Sequence, residues 1–160
     1  MASPPLPVPV DVELLAAPFN PLASLAAWQA GLRNGPAAIA AAEAHFIGRV
    51  RPVASDGAPL EALEIEHYPG MSERRIAAIS QTLAHQHGVA AVLVRHRVGR
   101  LKPGEPIVVV AVAADRRGPA LRCCQELLET LKHEAPFWKR EWSSGVGEWV
   151  VGNTPLAEAG

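Results

Sequence analysis

The sequence is short of nearly everything that would announce a function in bulk. Basic and acidic residues almost cancel, 15 against 16, so the formal net charge is −1 and no overall field draws the chain to nucleic acid or an anionic membrane. An aromatic-basic strand pattern of the kind nucleic-acid modules use is missing as well. There are two cysteines, and they are neighbours, Cys123 and Cys124. Adjacent cysteines rarely bridge to each other, so no disulfide framework is expected and a reducing, cytoplasmic home fits best. No apolar run approaches the ~20 residues of a membrane-spanning helix. The start, "MASPPLPVPV", has neither the basic residues nor the apolar stretch of a secretory signal. Phosphate-binding glycine loops, dinucleotide-binding glycine patterns and nucleophile elbows are all absent.

What remains is ordinary globular material, 49% apolar and 19% charged over 160 residues, enough for one domain with a real core. Residues 1–10 read as a flexible, proline-rich lead, residues 11–151 as a single domain, and residues 152–160 as a tail. Asp11 to Ala16 is a weak first strand. Asn20 to Gly31 offers an Asn cap, Pro21 at the first helical position and a glycine stop, the marks of a short helix. Ala37 to Val50 is ambiguous, because its alanines favour helix while Phe46, Ile47 and Val50 favour strand.

Leu60 to Tyr68 alternates, with Leu63, Ile65 and His67 on one side and Glu64 and Glu66 on the other, which predicts a half-buried strand. Ser72 then caps a helix that stops at Gly88. Ala90 to Ala114 reads as two strands around Lys102-Pro103-Gly104, the second of them central and buried on both faces. Pro119 opens a last helix that ends before Pro136. Strands and helices are mixed, with too few helices for a doubly wound sheet, so the fold class is α+β.

Candidate chemistry gathers near the C-terminus, in "HEAPFWKREW" (His133 to Trp142). At ~100° per residue, Leu121, Cys124, Leu128 and Leu131 share an arc of the last helix, and Lys132 borders it. A lysine there is either a partly desolvated amine able to bind an anion or act as a nucleophile, or a snorkelling side chain at a helix end. Lys139 and Arg140 follow the break at Pro136, on a segment that reads as irregular and easier to hydrate. Arg49 with Arg51, and Arg116 with Arg117, are further cations at element ends, and such clusters suit a phosphorylated small molecule. His85 and His87 point to different sides of a helix, His67 and His96 sit in strands, and the two thiols read as buried and inert.

Taken together, "FIGRVR" (Phe46 to Arg51), "EHYPGM" (Glu66 to Met71), "HRVGRLKPGEPIVVVAV" (His96 to Val112) and "LKHEAPFWKRE" (Leu131 to Glu141) resemble the large, catalytic subunit of molybdopterin synthase. The resemblance runs from about Ala37 to Val150. It implies an α/β hammerhead-type domain with a mixed or antiparallel sheet and a few helices, and it makes Ala37 to Val50 a strand. It implies a sulfurtransferase that moves sulfur from the thiocarboxylated C-terminus of a small ubiquitin-like carrier to cyclic pyranopterin monophosphate, forming the molybdopterin dithiolene. The expected assembly is a homodimer within a heterotetramer, with no metal, no cofactor, no nucleic acid and no membrane.

The family's catalytic lysines fall on Lys132 and Lys139. Its substrate-binding positions fall on Arg49, Val50, Arg51, Arg116, Arg117, Lys132, Lys139, Arg140 and Glu141. One family element, Ser-x-His-Arg, is contributed across the dimer and here reads Ala114-Asp115-Arg116-Arg117. An arginine holds a phosphate but does not shuttle protons near neutral pH, so a non-catalytic homologue that binds the pterin or the carrier is the alternative reading.

Overall fold

A computed structural model describes residues 2–150; the tail expected over residues 152–160 lies outside the described residues. In chain order the elements are β1 (Val10–Leu15), α1 (Pro21–Arg33), β2 (Ala42–Arg49), β3 (Ala62–His67), α2 (Met71–His87), β4 (Ala91–Arg97), β5 (Gly99–Leu101), β6 (Pro106–Ala114), α3 (Arg117–Glu134), β7 (Phe137–Ser143) and β8 (Val146–Trp149). They build two four-stranded sheets, ordered β1-β4-β6-β2 and β5-β3-β7-β8. The first is mixed, with β1 parallel to β4 and the other pairs antiparallel. The second is antiparallel throughout. The α+β expectation holds, with two sheets in place of one.

The unbroken apolar run of β6 explains the layering. Val108, Val110, Val112 and Ala114 face one way, into a core with Ile76 and Leu83 of α2 and Cys123 and Leu127 of α3. Val109, Ala111 and Ala113 face the other way, against Leu25 and Trp28 of α1. Alternation along a strand covered on both faces produces this division. Leu14, Ile107 and Phe137 pack on both the first core and the core of the second sheet, so they join the two sheets.

Local signals were overridden where tertiary pairing was stronger. Residues 42–49 are strand despite their alanines, because the segment pairs with β6 from Ala42 opposite Ala114 to Ile47 opposite Val109. The strand is shorter than expected, and residues 37–41 form turns and an extended entry. Asn20 caps α1 as read, its side chain accepting from the N–H of Leu22 and Ala23, but the helix passes through Gly31 and ends at Arg33. Gly70 takes the N-cap of α2, and Ser72 lies inside the helix, fully buried. Its hydroxyl accepts the Tyr68 N–H at 3.1 Å and donates to the Pro136 carbonyl at 3.3 Å. Gly88 ends α2 in the left-handed conformation, as its sequence implied.

The segment from Ala90 to Ala114 contains three strands, because the chain bends between β4 and β5 at Gly99, where φ is +88°. Helix α3 begins two residues before Pro119. Its buried face is Ala120, Cys123, Cys124, Leu127 and Leu131, while Leu121 is 58% exposed. The apolar arc is therefore rotated from the one that periodicity selected. The proline-rich lead is not wholly loose either: Val8 packs on the first core, and the Pro9 carbonyl accepts the Val92 N–H at 3.0 Å.

Candidate active site

Topology sorts the candidate residues to two ends of the first sheet. Strand β6 ends at Ala114, beside the start of β2, and α3 then packs back along β2 and β6. Lys132, in the last turn of α3, thereby returns to the end of the sheet where Arg49 stands opposite Pro106. Arg116 and Arg117 stay at the other end. At 1.5 Å per residue, Arg117 and Lys132 are about 22 Å apart along the helix axis. A single chain does not bring those two groups together.

Val50 is buried in the core of the second sheet, and Arg49 and Arg51 flank it on the exposed surface. The Arg49 guanidinium reaches the Gly104 carbonyl at 3.5 Å. The Val50 N–H donates to the Glu105 carbonyl at 2.9 Å, and its own carbonyl accepts the Gly104 N–H at 2.8 Å. Valine here anchors the backbone while the arginines face outward.

Beyond Pro136 the chain is not irregular, as the sequence suggested, but strand β7, paired with β3 so that Lys139 lies opposite Ile65 and Phe137 opposite His67. Directly opposed residues share a face, so Phe137, Lys139 and Glu141 lie on the inner side with the buried Leu63 and Ile65. Phe137 stacks on His96, with ring centroids 4.3 Å apart. His96 Nδ1 lies 2.7 Å from the Arg97 carbonyl. A carbonyl only accepts, so Nδ1 is the protonated nitrogen of a neutral ring. Burial, and then the nearby Lys139 charge, push the His96 pKa down to about 3.

Lys139 is itself held below the ordinary lysine value, first by burial and then by Lys132. The Lys132 side chain keeps 39% of its exposure, with a Glu129 carboxylate oxygen 4.0 Å from its amine. The desolvated position that the helix face predicted for Lys132 therefore belongs to Lys139. The two amines share one field, and His96 sits beneath it as an uncharged neighbour.

Arg140 faces the other side of the sheet. Its guanidinium lies 4.0 Å from the centre of the Trp149 ring and 5.5 Å from that of Trp142, with Glu64 and Glu66 oxygens at 3.9 and 3.8 Å. Gly147 makes the room: a Cβ there would lie 2.6 Å from Arg140 Cδ and 2.9 Å from the Trp142 ring. On the inner side, the Glu141 carboxylate accepts from the Ser55 backbone N–H at 3.0 Å and from the Ser55 hydroxyl, holding the 52–59 loop.

At the far end, Arg116 and Arg117 line a depression of about 600 Å³ together with Arg122, Ala41 and Ala42. Arg122 was not singled out in the sequence, where it looks like any exposed helical arginine. Among the described residues no group of three or more His, Cys, Asp or Glu converges as a metal site. His87 pairs with Glu126 and His85 contacts Gln81, so those two histidines are committed separately. Burial pushes the Cys123 and Cys124 thiols up to about 12 and about 11, which leaves them protonated and inert.

Known proteins give this arrangement a context. Residues 18–134 match the family model described as MoaE protein. The chain is 49% identical over 115 residues to the molybdopterin synthase catalytic subunit of Cereibacter sphaeroides, an alignment covering 72% of this chain and 77% of that one. It is 44% identical over 121 residues to the molybdopterin synthase catalytic subunit of Ralstonia nicotianae, covering 76% and 68%. Among solved structures, molybdopterin cofactor biosynthesis protein E from Burkholderia multivorans superposes with a TM-score of 0.73 at 33% identity, covering 92% of each chain.

Proposed function

The chain belongs to the MoaE family of molybdopterin synthase catalytic subunits, enzymes of molybdenum cofactor biosynthesis, and we propose that it works as a homodimer whose two active sites are each built from both protomers. In each site, Lys132 and Lys139 of one protomer meet the thiocarboxylated tail of a small ubiquitin-like carrier. Arg49 and Arg51 of the same protomer, with Arg116 and Arg117 of the other, hold the phosphate of cyclic pyranopterin monophosphate. The observation that carries this reading is the length of α3, which keeps Arg117 and Lys132 at opposite ends of one chain.

Both reactants are anions and repel one another. Cations placed between them offset that repulsion and stabilise charge that develops on the sulfur and on the opening cyclic phosphate. Lys139 suits the inner position because desolvation strengthens its field and a lowered pKa eases proton exchange at the amine. Free, protonated thiols fit a reducing cytoplasm.

Complementation tests the shared site. Lys132→Ala and Arg117→Ala homodimers should each lose sulfur transfer in a reconstitution with thiocarboxylated carrier and precursor. A mixed dimer of the two places both lesions in one site and leaves the other intact, so it should recover about half the wild-type dithiolene yield. Mixed dimers that assemble and remain as inactive as both parents refute it.

A further inference from the structure

We propose that Glu105, locked by the buried Arg97, is a positioning residue that fixes the Arg49–Arg51 segment at its end of the sheet; the inference rests on the reading of that segment as phosphate-binding. Strand β2 lies at the edge of its sheet, and its register with β6 shifts between Gly48 and Arg49. After this irregularity the ladder has one more pair, Arg49 with Pro106, and beyond it something else must set the direction of the chain. That role falls to the turn at residues 102–105, which grips the end of β2 and the residue after it through two backbone hydrogen bonds with Val50 and the contact from Arg49 to Gly104.

The turn is closed by Glu105. Its N–H donates to the Lys102 carbonyl at 3.1 Å, and its carboxylate Oε2 accepts the Lys102 N–H at 2.8 Å. The same Oε2 lies 3.6 Å from Nη1 of Arg97, which is 2% exposed. Among the described residues Nε and Nη1 of Arg97 have no hydrogen-bond acceptor, and Nη2 reaches the Arg100 carbonyl only at 3.5 Å. A guanidinium so deep is costly without a counter-charge, and among the described residues Glu105 is the carboxylate within ion-pair range. The buried charge therefore holds the carboxylate, the carboxylate holds the turn, and the turn aims Arg49 and Arg51.

Glu105→Gln separates the charge from the turn, because its amide oxygen still accepts the Lys102 N–H. In the dimer, amide exchange at Val50 and Gly104 should quicken about tenfold while Val109 and Val110 stay protected, the pattern of a local opening. The KM for the pterin precursor should rise roughly five- to twentyfold with kcat within about threefold, the pattern of lost binding. Arg97→Lys, which keeps the cation but loses the fork, should shift both readouts the same way and serves if Glu105→Gln does not fold. Unchanged exchange at Val50 and Gly104 in the folded variant overturns the tether. An Arg51→Ala control separates the two ideas. If it raises KM and Glu105→Gln does not, the positioning role is wrong; if it leaves KM unchanged, the phosphate-binding reading fails and exchange alone decides the tether.

Discussion

Replacing His96 by asparagine should flatten the acid sensitivity of folding. His96 is 7% exposed, stacked on Phe137 and bonded through Nδ1 to the Arg97 carbonyl. Its pKa falls from 6.5 to about 3 in the folded protein. The unfolded chain takes up a proton at this ring below about pH 6.5 and the folded chain does not until about pH 3. Folding is therefore unpenalised above the unfolded value and loses stability as pH falls from there toward the folded one. Between pH 7 and pH 5 this linkage amounts to about 2 kcal/mol. The asparagine side chain would keep a donor for the Arg97 carbonyl and has nothing to titrate. Urea unfolding of both proteins at pH 7 and pH 5, at one protein concentration, gives the difference directly. The wild type should lose about 2 kcal/mol more than the variant over that interval, the remaining histidines cancelling between them. Equal losses would mean that His96 is protonated in the folded state, and the account of a neutral ring beneath the lysines would fall.

Two further outcomes follow from the same region. Lys132→Ala should raise the Lys139 pKa part of the way toward the ordinary lysine value, because burial remains when the second amine is gone. An NMR titration of the lysine ε-carbons reads this, and an unmoved Lys139 would show that the two amines do not share a field. Gly147→Ala should cost about 1–3 kcal/mol in stability, since the new methyl collides with Arg140 and Trp142. Denaturant unfolding checks it, and a neutral result would mean that β8 moves aside freely.

Much of the architecture was legible in the residues. The run at Ile107 to Val112 declared a central strand, Asn20 and Gly88 marked helix ends, and the alternation from Leu63 to His67 showed a half-buried strand. What failed did so for identifiable reasons. Alanine propensity misleads at Ala42 to Ala44, because pairing with β6 outweighs a few tenths of a kcal/mol per residue. Cys124, Leu128 and Leu131 of α3 do pack on the core, but Leu121 is apolar by type only and is exposed, whereas Ala120, Cys123 and Leu127 complete the buried face. Desolvation of Lys139 had no local signal, since the strand places it opposite Ile65, far earlier in the chain, and near His96 on yet another strand. The large loop separations of these contacts put them beyond any reading of spacing.

The placement of Lys139 and Arg140 on opposite faces of β7 makes the connection from α3 a counting device. Side chains change sides at every residue of a strand, so what matters between Glu134 and Phe137 is whether the number of residues is odd or even. One residue more or fewer there would trade the two cations. A deletion would set Arg140, and an insertion Trp138, opposite Ile65, and the aromatic cradle of Trp142 and Trp149 would lose its guanidinium. The hydroxyl of Ser72, holding the Pro136 carbonyl, guards that parity from a different helix. A single inserted residue at this junction is thus a heavier change than substituting either cation, because it inverts a whole strand without altering one side chain.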